Sequence, residues 1–212
     1  MTVLSQDRWT ALCTAAGASG DSAPLYHQLR AAYSEPHRRY HNLRHIAECL
    51  NELDPVRGLV QAPNAVELAV WFHDAVYDTH AADNEERSAA LARSELQKLG
   101  AGEVLISTIE RLVLATKRHD VSLDNDAPTL VDVDLSILGQ SPERFLEYER
   151  QIREEYGWVP QQTFCEKRAE ILKSFLARKR IFSTEWFFNR YEVRARANLA
   201  LSVAALSAGR LP

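Results

Sequence analysis

An all-α fold, one compact helical domain over residues 1–212, is what this chain predicts, on three observations. Apolar residues recur at helical spacing along most of its length. Capping residues and prolines stand where such segments should start and stop. Strand signals are nearly absent: there is no sustained alternation and no Asn-Gly or Asp-Gly hairpin turn. The size and a hydrophobic fraction of 46% suit one globular domain with a sizeable core.

The elements follow in order. A first helix should begin after Ser5, a candidate N-cap, with Trp9, Leu12, Cys13 and Ala16 at helical spacing. A second covers about residues 23–33 and stops before Pro36, and residues 41–50 read as a third. The fourth begins around Pro63, with Asn64 as candidate cap, and runs to about residue 77. Asp83 opens a fifth whose acidic first turn suits the positive end of a helix, and Gly100 suits its stop. Residues 103–117 carry Val104, Ile109, Leu112 and Val113 on one side, and residues 124–128 form a loop or a helix start. Ser141 followed by Pro142 is an N-cap with proline at the first helical position. Pro160 opens a helix through Arg180, and residues 184–208 form a long last one.

Bulk properties narrow the function classes. A formal net charge of -4 argues against a strong binder of nucleic acid or anionic membrane. The three cysteines, Cys13, Cys49 and Cys165, are odd in number and widely spaced, as expected of reduced thiols rather than a disulfide framework. No basic-then-apolar leader opens the chain, and the apolar stretch 197–208 is too short to span a bilayer. A cytoplasmic location is therefore expected, and a homodimer stays open.

Four side chains of metal-ligand type stand out: His45, the adjacent His73 and Asp74, and one acid of the segment LVDVDLS at 130–136. His73 and Asp74 lie inside an apolar run, VELAVWFHDAV at 66–76, and buried ionisable groups are costly unless paired or bound to a metal. Two histidines and two carboxylates suit a divalent cation that keeps positions open for water and substrate. His41 precedes His45 by four residues, which on a helix stacks the two on one face. Val70, Trp71, Phe72 and Val76 are expected to form a dry wall around the pair. Asp132 and Asp134 are separated by about 200° on a helix. Leu130, Leu135 and Leu138 share a stripe with Asp134, so Asp134 should face the core as the ligand and Asp132 the solvent.

The order His, His-Asp, Asp on helices resembles the HD-domain superfamily of metal-dependent phosphohydrolases. The flanks YHNLRH at 40–45, WFHDAVYD at 71–78, NEERSA at 84–89, ATKRH at 115–119 and DVDLSILG at 132–139 resemble a bacterial group of predicted HD-type phosphohydrolases. EY at 155–156 and ARANL at 195–199 look like its C-terminal signature, so the likeness covers roughly residues 5–200. YHNLRH is also similar to the His-Asn-x-x-His motif of cyclic-nucleotide phosphodiesterases. That likeness implies His41 as proton donor to the leaving oxygen and His45 as metal ligand, with Asp134 the last metal aspartate.

The resemblance implies hydrolysis of a small phosphate ester, most readily a nucleotide, with a divalent metal: Mn²⁺, Mg²⁺, Fe²⁺, Co²⁺, Ni²⁺ or Zn²⁺, one ion or two. In that scheme Asp78 orients water or acts as base. Asn84 and Glu85 reach a ribose or a second ion's waters, and Lys117 and His119 reach phosphate oxygens. His119 is alternatively a second-metal ligand. Arg44, with Arg38 and Arg39, adds anion contacts. Plainer roles compete: a helix-end cap for Asp78, an acidic helix start for Glu85, and charge complementing a helix C-terminus for Lys117. Two other classes stay open, a nucleotide-sensing module with little turnover and a di-iron oxygenase.

Overall fold

Helices make up all regular secondary structure among the described residues, 3–119, 121–122 and 124–211 of the computed structural model. The chain divides into two compact units, the first ending at Val133 and the second beginning at Asp134.

The first unit is organised around an apolar helix. Helix α1 is Gln6–Ala15, α2 Ala23–Ala32 and α3 Leu43–Leu53, followed by a 3-10 turn, Asp54–Leu59. Next come α4, Pro63–Phe72, α5, Asn84–Lys98, and α6, Glu103–Arg118. All residues of α4 from Ala65 to Phe72 are buried, as expected of a helix that is apolar all round. Helices α1, α3, α5 and α6 pack on it, and α5 packs along α6. Ser5 caps α1 by accepting from the Arg8 backbone N–H, as its sequence predicts. Trp9, fully buried, meets Trp71 edge-on at 5.4 Å between ring centres.

Four local expectations are corrected. His41 lies outside α3, because extended Asn42 is the N-cap and accepts from the Arg44 N–H. Helix α4 stops at Phe72, not near residue 77, which puts His73 at its C-cap. Asn64 sits within α4 and accepts from Arg57 instead of capping. Asp126 fastens the segment just ahead of the helix, its carboxylate accepting from the N–H groups of Gln61 and Ala62. Val104 is 85% exposed, and Ile106 takes the buried place in the first turns of α6.

Helix α7, Ala127–Leu135, crosses from the first unit into the second and continues as a 3-10 turn, Ser136–Gly139. The second unit then holds α8, Pro142–Glu155, α9, Gln161–Leu176, and α10, Glu185–Ser207. Ser141 caps α8 as predicted, whereas α9 ends before residue 180. The motif residues of this unit are explained by packing. Asn198 on α10 donates to the Leu138 and Gln140 carbonyls, and a Cβ added to Gly139 would fall 2.5 Å from that of Tyr191. No described helix is long and apolar enough to cross a membrane.

Candidate metal centre

Helix α3 and the C-terminal end of α4 bring three donor atoms together. His45 and His73 are buried, and Asp74 is half-buried. The Nε2 atoms of His45 and His73 are 3.1 Å apart. Asp74 Oδ2 is 3.1 Å from His73 Nε2 and 3.7 Å from His45 Nε2. His73 Nδ1 lies 2.9 Å from the Val70 carbonyl oxygen, so that nitrogen carries the hydrogen and donates. In the neutral ring Nε2 therefore turns a lone pair toward Asp74. Two imidazole nitrogens and a carboxylate oxygen at such spacing need positive charge among them, either protons or a cation.

Without a metal, protons supply it. Burial opposes ionisation of Asp74, but the positive charges of His73, His41 and His45 and a hydrogen bond from His73 hold its carboxyl well below the usual range. A cation fits the same donors. At about 2.1 Å from each, atoms 3.1 Å apart subtend about 95° and atoms 3.7 Å apart about 125°. Those angles place all three donors on one side of an ion and leave its other side open.

The surroundings are aromatic. His41 stacks on Tyr77 at 4.3 Å and meets Tyr40 edge-on at 4.9 Å, and its ring centre is 5.9 Å from that of His45. The His41–His45 neighbourhood thus exists without the helical register the sequence suggested. Tyr40 lies 4.7 Å from the His45 ring, and the Cys49 thiol is 3.7 Å from His45 Nδ1. Tyr40, Tyr77 and Cys49 were not legible as site residues. Trp71 does not line this wall as expected; it packs with Trp9 and Tyr26.

The segment after the His-Asp pair is fastened by side chains. Arg38, buried, donates to the carbonyls of Asp74 (2.6 Å), Ala75 (3.0 Å) and His41 (3.3 Å), and to the Glu35 carboxylate. It is therefore not an anion contact. Ser88 accepts from the Val76 N–H, and Asn84 clasps Asp78 by accepting from its N–H and donating to its carbonyl. Asn84 thus acts as a loop clasp. Asp78 is exposed and its carboxylate accepts from the His80 N–H, which builds a turn.

The remaining expected residues are placed as follows. Lys117 donates to the Ala82 carbonyl and to Glu86, which ties α6 to the loop before α5. Glu85 is half-exposed in the first turn of α5. His119 is the left-handed C-cap of α6, with φ 52°. Arg44 is exposed and pairs with Glu48 four residues on, an ordinary surface helix pair.

The expectation that Asp132 faces solvent is corrected: Asp132 is fully buried, and Asp134 is half-buried. Residues 130–139 are buried on every side but that of Asp134, and α7 gives way to a 3-10 turn after Leu135. Extending one helical stripe as far as Leu138 was therefore invalid. Asp134, the first residue of the second unit, adds its charge to those that act on the Tyr148 hydroxyl.

No family model, curated protein or solved structure matches this chain.

Proposed function

We propose that this chain is a metal-dependent phosphohydrolase acting on a small phosphate ester, a nucleotide foremost, with His45, His73 and Asp74 as ligands. The observation that carries the reading is the convergence of their three donor atoms within 3.1–3.7 Å. The ordered likeness of this chain's motifs to the HD superfamily supplies the reaction class.

A divalent cation, when bound, supplies Lewis acidity that lowers the pKa of water and offsets charge on a phosphoryl oxygen. The chain does the rest. His73 is held in one tautomer by the Val70 carbonyl, which keeps its Nε2 in place for ligation. His41, half-exposed beside the ligands and braced by Tyr77, is the group placed to pass a proton to the leaving oxygen. Asp78, Asn84 and Lys117 shape the bordering loop.

The test is phosphate release from a generic phosphate ester and a nucleotide panel, with each divalent metal in turn. Turnover should need the metal and should fall by at least about a thousandfold in Asp74→Ala. Undiminished turnover in that variant would refute the site.

A further inference from the structure

The Arg38 guanidinium reaches the backbone of the His-Asp pair, and both of its Nη atoms are spent on main-chain oxygens. Its side chain is 1% exposed. One Nη1 donates to both the Asp74 carbonyl, at 2.6 Å, and the His41 carbonyl, at 3.3 Å. Nη2 donates to the Ala75 carbonyl at 3.0 Å, and Nε to Glu35 at 3.0 Å. The plane is held between two tyrosines, with its central carbon 5.1 Å from the Tyr33 ring centre and 5.4 Å from that of Tyr77. Tyr77 is also the ring on which His41 stacks.

The carbonyls freed at the end of α4 are answered without Arg38: Val70 by the His73 ring, Trp71 by the Tyr33 hydroxyl and Phe72 by the Ala75 N–H. The buried fork instead takes the Asp74 and Ala75 carbonyls, just beyond the helix. The same fork holds the His41 carbonyl, from the segment that precedes α3. One rigid group therefore sets the distance between the ligand Asp74 and the proton-donor candidate His41. Lysine could not do so, having a single nitrogen and no plane to stack.

We propose that Arg38 is a positioning residue of the metal centre, which locks Asp74 and His41 into one geometry through their main chains. This rests on the metal reading above.

The test uses Co²⁺ as probe on the full chain, reading its dissociation constant and its visible absorption. Arg38→Met should weaken Co²⁺ binding about 10–100-fold, the scale for loss of a group that orients ligands, and should change the absorption band. Arg38→Lys, which keeps the charge but on a single nitrogen without the planar fork, should fold and recover only part of the affinity. Arg8→Met is the control for stability alone, since Arg8 pairs with buried Glu67 and with Asp54 in the same unit. It should leave the Co²⁺ constant and band unchanged. Wild-type affinity and band in either Arg38 variant would overturn the inference while leaving the metal reading intact. Equal weakening in Arg8→Met would likewise reduce Arg38 to a structural role. Failure of the wild-type chain to bind Co²⁺ would overturn both readings.

Discussion

Glu67 and Asp74 are two shielded acids seven residues apart, one within α4 and one just beyond its end, and they are answered in opposite ways. Glu67 is met by guanidinium groups, Arg8 at 2.7 Å and Arg57. Asp74 is met by imidazoles, His73 at 3.1 Å and His45 at 3.7 Å. An arginine cannot give up its proton and cannot bind a metal, so the Glu67 site is closed chemically. An imidazole can exchange its proton for a cation, so the Asp74 site can change occupant. Burial of an acid alone therefore does not mark a functional site; the partner's chemistry does. The second unit repeats the closed pattern, with Glu149 held by Arg168, and Glu192 by Arg196 and the Ile181 and Phe182 N–H groups.

The contrast breaks most visibly if the closed site is opened. Glu67→Ala should cost up to about 3 kcal/mol, the low end for breaking a buried pair, because Arg8 and Arg57 keep Asp54 and Asn64 as partners. Melting should fall by roughly 6–12 °C, with divalent-metal affinity within about twofold of wild type. A large loss of metal affinity would show that the two sites are not separate.

Acid should act on the open site. The Asp74 carboxyl is held below its ordinary value, so the unfolded chain takes up that proton first. Its stabilisation of the metal-free protein is then full above about pH 4 and lost as the pH falls further. Unfolding by urea should show the advantage of wild type over Asp74→Asn shrinking below that pH. An advantage unchanged down to about pH 2.5 would contradict the charge pairing. Metal affinity should also fall with falling pH, because protons compete with the metal for the ligand nitrogens.

The smallest effect concerns a buried group with neither kind of partner. Burial pushes the Cys13 thiol up to about 11, against a weaker opposing hydrogen bond to Ser22. Alkylation at pH 8 followed by peptide mapping should leave Cys13 unmodified until the chain unfolds. Rapid labelling of the folded protein would show that burial there is incomplete.

Much of this was legible locally. Ser5, Ser141 and Gly100 mark helix ends because capping is decided within a few residues. The His73–Asp74 pair stands out because ionisable groups in an apolar run demand an explanation, and His45 because it follows His41 by four residues in YHNLRH. What failed depends on distant partners. Nothing between Ala65 and Asp78 is a glycine or proline, so the sequence has no stop for α4; Arg38 and Ser88 provide it by capturing the groups that a longer helix would use. The misplacing of Asp132 has a different cause, since a segment buried on nearly all sides has no stripe to read. Arg38 itself read as an anion contact, and only its burial against two tyrosines and its bonds to carbonyls show its structural role.

The most direct measurement is a titration of the chelator-treated chain with Mn²⁺ and Co²⁺, in parallel with His73→Ala. The account predicts saturable binding by wild type, with a rise in melting temperature as metal exceeds the dissociation constant, and loss of both in the variant. Identical binding by the two proteins, or no binding by wild type, would contradict it.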